Sequence, residues 1–196
     1  RTGLFAMALW AALRLPNLEW VVMEQVPAAE GLFEDMAVEM NSLGWNADVV
    51  MIDAMDLGLP VRRRRVFLLA HRNAGRRDID LAPQPARTMA ETLGWPPGHR
   101  VLTRGNRRTS GGNGFTADGP SWALTGSTRS WVRDDGHRIS IEEASLLHGF
   151  RADYPWAGSR SRQFLQCADV VLPPVAARLL SALVVPTPAG RLLVGA

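Results

Sequence analysis

The chain has 196 residues, 46% of them hydrophobic, which suits one globular domain with an appendage and is too apolar for a disordered chain. Its net charge is +3, all 22 basic side chains are arginine, and the lone cysteine, Cys167, excludes an internal disulfide and a cysteine-built zinc site. No apolar run reaches the roughly 20 residues of a bilayer crossing. With no leader-type cleavage pattern either, the expected location is cytoplasmic. Arginine in place of lysine reads first as codon bias in a GC-rich genome. It also suits bidentate contacts to phosphate and guanine, and the uneven placement of the arginines keeps that second reading open.

In chain order, apolar residues recur at helical spacing over residues 2–15 and stop at Pro16-Asn17. Residues 20–26 form a short apolar burst that predicts a buried strand. Residues 27–43 predict a helix, with Leu32, Phe33, Met36 and Met40 on one side and Gly44 as its stop. Two more strands are expected at 48–52 and 66–70, joined by a Gly-Pro segment and the run Arg62 to Arg65. This order fits part of an open α/β sheet. From 71 to 137 Pro, Gly, Arg, Ser and Thr dominate, and 104–114 reads as exposed loop. Ser140 with Glu143 three residues on predicts a capped helix to about His148. Pro173 opens a last helix over 175–183, and the tail after Pro186 is expected to be loose. Three strands alone do not complete a doubly wound sheet, and no Gly-rich strand-to-helix turn precedes them, so a nucleotide-binding first half is expected outside this sequence.

Four segments, in order, resemble later motifs of the DNA (cytosine-5)-methyltransferase family. Met23-Glu24-Gln25-Val26 resembles a strand ending in Glu-Asn-Val. Gly58-Leu59-Pro60-Val61-Arg62-Arg63-Arg64-Arg65 resembles Gly-x-Pro-Gln-x-Arg-x-Arg, which sets the two family arginines at Arg63 and Arg65. The stretch from Arg138 through Glu143 and Leu147 to Gly149-Phe150 is similar to the family's Arg-x-x-x-x-Glu-x-x-x-Leu-x-Gly-Phe helix. Ala168-Asp169-Val170-Val171-Leu172-Pro173-Pro174 resembles the closing Gly-Asn-Ala-Val-Pro-Pro motif, with Ala and Asp for Gly and Asn and with Leu172 breaking the pattern. Arg1 could be the remnant of a fifth.

The resemblance implies the C-terminal part of a class I methyltransferase, a partial Rossmann-like α/β sheet with a small, loop-rich target-recognition region. Residues 1–70 would be the second half of the catalytic domain, 71–137 the recognition region, 138–185 helices returning to the catalytic domain, and 186–196 the tail. It implies transfer of methyl from S-adenosylmethionine to C5 of a cytosine flipped out of double-stranded DNA, through a thiolate added at C6. Glu24 would protonate N3, its acidity weakened by burial; the alternative is a strand-end glutamate that caps the next helix. Arg63 and Arg65 share one face of an extended segment and would contact the flipped nucleotide and hold the acid. Arg62 and Arg64 would face away. The alternative is a solvated basic turn.

Arg104, Arg107, Arg108, Thr125 and Arg129 are the candidate DNA contacts, with Arg133 beside them. The alternative there is an ordinary surface loop anchored by Trp122 and Trp131. Asp169 and Val171 would flank the cofactor, with a purely structural helix start as the rival. Cys167 follows Gln166 rather than proline, so it reads as a buried small residue and not the nucleophile; His148 reads as packing or surface. The nucleophile would come from an N-terminal half, supplied as a separate chain or lost by truncation, in a bacterial or phage setting, alone or within a restriction–modification system. The rival function is a DNA-binding remnant or partner subunit without catalysis.

Overall fold

The computed structural model describes residues 3–72, 78–103 and 113–183. It divides into two compact units, one built from 1–51, 65–80 and 177–196 and the other from 52–64 and 81–176. The chain leaves the first unit after 51 and returns to it at 65.

The first unit is a helix-packed sheet. Helix α1 (Gly3–Leu13) leads to strand β1 (Trp20–Gln25), then a 3-10 turn (Pro27–Ala29), helix α2 (Glu30–Ser42), β2 (Asn46–Asp53) and β3 (Arg64–His71). The strand order is β1-β3-β2, with β1 antiparallel to β3. Strand β3 is central because Val66, Phe67, Leu68, Leu69 and Ala70 are all buried, the continuous apolar run of a strand covered on both faces. Helix α2 turns Phe33, Met36, Ala37 and Met40 inward at helical spacing. They pack with Leu9, Val21, Trp45, Leu68 and Ala70.

The end of α2 is set by backbone chemistry. Gly44 lies at φ 82°, its N–H donates to Asn41 O, and Trp45 N–H donates to Met40 O, the paired bonds of a Schellman stop. The Asn41 side chain then brackets Ala47, donating to its carbonyl at 3.0 Å and accepting from its N–H at 2.9 Å, which fixes where β2 begins.

The second unit holds helices α3 (Met89–Leu93), α4 (Ile141–Leu147) and α5 (Arg160–Asp169), the start of α6 (Pro173–Leu183), and a small sheet of β4 (Arg100–Leu102), β5 (Gly114–Thr116) and β6 (Val132–Arg133) in the order β5-β4-β6. This sheet lies inside the stretch read as loops, since strands of two or three residues carry no readable alternation. Phe115 stacks on Trp122 (ring centroids 5.1 Å apart) and meets Trp131 edge-on at 5.2 Å, so the two tryptophans do anchor the region. Helices α5 and α6 together, Arg160–Leu183, are long and apolar enough by composition to cross a membrane. Extended backbone at Val170 divides the stretch into the separate helices α5 and α6, neither of which alone has that length. The tail after Pro186 and Arg1 lie outside the described residues.

Helix α4 starts as its sequence predicts. Ser140 Oγ accepts from Glu143 N–H at 3.1 Å, and Glu143 Oε2 accepts from Ser140 N–H at 2.8 Å. Replacing Ser140 by Ala should lower unfolding stability by about 1 kcal/mol, read as an earlier urea midpoint; an unmoved midpoint would show that the cap contributes nothing.

Candidate functional site

Two constellations emerge, one in each unit. In the first, the antiparallel register sets Glu24 opposite Phe67. Arg65 lies two residues before Phe67 and so shares its face of β3, diagonal to Glu24. The pair closes: Arg65 Nε stands 2.9 Å from Glu24 Oε1, with both side chains 22% exposed. The capping alternative for Glu24 fails. Val26 precedes the 3-10 turn and Ala29 precedes α2, neither start has a side-chain cap, and Gln25, not Glu24, accepts from Val26 N–H.

In the second unit, Arg63 is 3% exposed while Arg62 and Arg64 are exposed, so the expected alternation holds. Its backbone is held on both sides, Arg63 N–H donating to Asp53 Oδ1 at 3.2 Å and Arg63 O accepting from Ala54 N–H at 2.9 Å. Its guanidinium donates to Ala168 O at 2.8 Å and Val170 O at 2.9 Å. These carbonyls lie at the C-terminal end of α5, where the last turn has no partners of its own and its partial negative charge favours a cation. The structure thus gives Arg63 a task the sequence did not suggest. Asp169 and Val171, next to these carbonyls, are exposed.

Cys167 and His148 are fully buried together, with His148 Nδ1–H donating to Cys167 O at 2.9 Å. Burial pushes the Cys167 thiol up to about 12, against a smaller opposing pull from Arg63. Both therefore act as packing groups.

Of the DNA candidates, Arg104, Arg107 and Arg108 lie outside the described residues. Thr125, which caps the 3-10 turn Gly126–Ser130, and Arg129 within it are both exposed. Thr125 Oγ1 accepts from Ser127 N–H, and the Arg129 guanidinium donates to Gly126 O, so both also stabilise the turn itself. Arg133 is paired with Asp135 at 2.7 Å and lies over Trp95. The sequence reading missed Arg160, which donates to Arg129 O at 3.3 Å and Ile139 O at 2.6 Å and so ties that turn to α5. It also missed α5, although the buried Phe164, Cys167 and Ala168 have helical spacing.

Residues 17–93 match the sequence model for C-5 cytosine-specific DNA methylases, a span that includes Glu24, Arg63 and Arg65. The third and fourth motif segments lie beyond it. No curated protein matches the chain significantly. Among solved structures, a mutant of Spodoptera frugiperda DNMT2 matches at 12% identity and TM-score 0.65, over 91% of this chain and 70% of its own. The Dnmt2 methyltransferase of S. pombe matches at 14% and 0.65, over 91% and 72%. A putative DNA modification methyltransferase encoded within an E. coli prophage matches at 16% and 0.59, over 84% and 68%. At these identities the likeness establishes the fold alone, which is part of a Rossmann-like α/β methyltransferase fold.

The thiol offers a direct check. Native protein at pH 8 should react with a disulfide reagent far more slowly than denatured protein. Because the folded value lies above the ordinary 9.0, the stability linked to this thiol is full below pH 9 and is lost as pH rises toward 12. Rapid native labelling at pH 8 would contradict the buried assignment.

Proposed function

We propose that this chain, whose residues 17–93 match the sequence model for C-5 cytosine-specific DNA methylases, supplies the acid and the DNA-reading part of a DNA (cytosine-5)-methyltransferase. The observation that carries this is the Glu24–Arg65 pair, an acid and a guanidinium 2.9 Å apart on neighbouring strands. Addition of a thiolate at C6 of a flipped cytosine drives charge onto the ring. Glu24, protonated for this step, passes its proton to N3 and returns to the carboxylate form. Arg65 pairs with that carboxylate, so the charge left on Glu24 as its proton departs is stabilised. Cys167 is the chain's single cysteine and is buried, so this reading assigns the thiolate to a partner segment and not to Cys167.

S-adenosylmethionine, when bound, supplies an electrophilic methyl group. Asp169 and Val171 fit a flanking role toward it, since an exposed carboxylate accepts from an amine or hydroxyl and an exposed valine covers an apolar edge. Thr125 and Arg129, on their shared turn, are the described DNA contacts of this reading; Arg104, Arg107 and Arg108 belong to the same region. Helix α1 supports a further partner segment: Leu4, Met7 and Trp10, at helical spacing, are each more than half exposed while Leu9 is buried, so the helix is apolar on both flanks. A cytoplasmic setting in a bacterium or phage, within a modification or restriction–modification system, belongs to the same proposal. The second reading, a DNA-binding subunit without catalysis, draws on the buried Cys167.

Mixing this chain with a segment that carries the thiolate, and following labelled methyl transfer to DNA, separates the two readings. Restored transfer favours the enzyme; DNA binding that never restores transfer favours the subunit. In the reconstituted enzyme Glu24→Gln should cut turnover by about 10²-fold or more and leave DNA affinity unchanged. A near-normal rate in that variant would remove Glu24 from the mechanism.

A further inference from the structure

We infer that Arg63 is a positioning residue for the cofactor side of the site, not a nucleic-acid contact: it is the remote C-terminal cap of α5 that sets how Asp169 and Val171 are presented. The inference rests on the proposed flanking role of those two residues and extends it to the residue that fixes them.

The geometry is specific. A guanidinium that is 3% exposed has no surface to offer a phosphate. Two of its nitrogens are engaged with Ala168 O and Val170 O, the carbonyls on either side of Asp169. One planar group thus grips alternate carbonyls where α5 ends at Asp169 and the backbone extends at Val170 (φ −79°, ψ 155°). The bonded carbonyls turn inward, and Asp169 and Val171 are exposed. Downstream, Leu172 is buried and its carbonyl accepts from Ala176 N–H at 2.9 Å, so the first turn of α6 fixes the other side of the joint. Upstream, the Asp53 carboxylate and the Ala54 amide hold the Arg63 backbone. Every link lies within the second unit. A lysine here would be one point charge where a planar fork is needed.

The test uses the reconstituted enzyme with Arg63→Gln, Arg63→Lys, Asp169→Ala and Val171→Ala. Arg63→Gln should raise the KM for S-adenosylmethionine about tenfold, equivalent to about 1.4 kcal/mol, and leave the KM for DNA unchanged. Arg63→Lys should fall between wild type and Gln, and serves if the Gln variant does not fold. Independently of activity, amide exchange over residues 169–172 should accelerate in both variants. A rise in the DNA KM alone, an equal rise in both KM values, or no change in either overturns the positioning role. If Asp169→Ala and Val171→Ala leave the cofactor KM unmoved while exchange at 169–172 still responds to Arg63, the cap stands and the flanking reading falls.

Discussion

The period-two alternation of an extended segment governs this molecule, acting on four consecutive arginines. Along Arg62 to Arg65, two side chains go to solvent and two go inward. The chain passes from one compact unit to the other between the inward pair, Arg63 belonging to the second unit and Arg65 to the first. A shift of one residue in this segment would bury Arg62 and Arg64 instead, and each unit would lose its polar anchor.

The two inward arginines solve different problems. Arg65 is partly solvated and meets one carboxylate, an arrangement worth about 1 kcal/mol or less to stability. Its value is orientation, because it sets the direction of the Glu24 carboxyl on a strand edge. Arg63 is a buried cation, and a buried cation without fixed acceptors costs several kcal/mol. The end of α5 supplies those acceptors, since its carbonyls lack helical partners. The arginine and the helix end each remove the other's desolvation penalty.

Much of the fold was legible in the sequence because its signals are local. The apolar stripe of α2, its stop at Gly44, the apolar run of β3 and the Ser140–Glu143 box each lie within one element. The Glu24–Arg65 pair was reachable through the resemblance, which named both residues, and through alternation, which set Arg63 and Arg65 on one face. The partners of Arg63 were not legible: Ala168 is 105 residues away, and nothing in an arginine run says which helix end it will meet. The sheet β5-β4-β6 escaped notice because its strands are shorter than one readable period, and the aromatic stack of Phe115 with Trp122 and Trp131, not backbone propensity, organises that region. Arg129 shows the limit of composition: an exposed arginine in a Gly-Ser-Thr turn suggests a ligand contact, and the same guanidinium also closes the turn that carries it.

Asn41 shows how finely one position can be specified. Its primary amide copies a peptide unit, with one donor and one acceptor turned toward Ala47. Aspartate has the same outline but no N–H, so it would set an anion against the Ala47 carbonyl. Leucine fills similar space and offers neither group, stranding both backbone atoms. The junction of α2 with β2 therefore selects for a hydrogen-bonding pattern, and neither volume nor polarity alone would satisfy it.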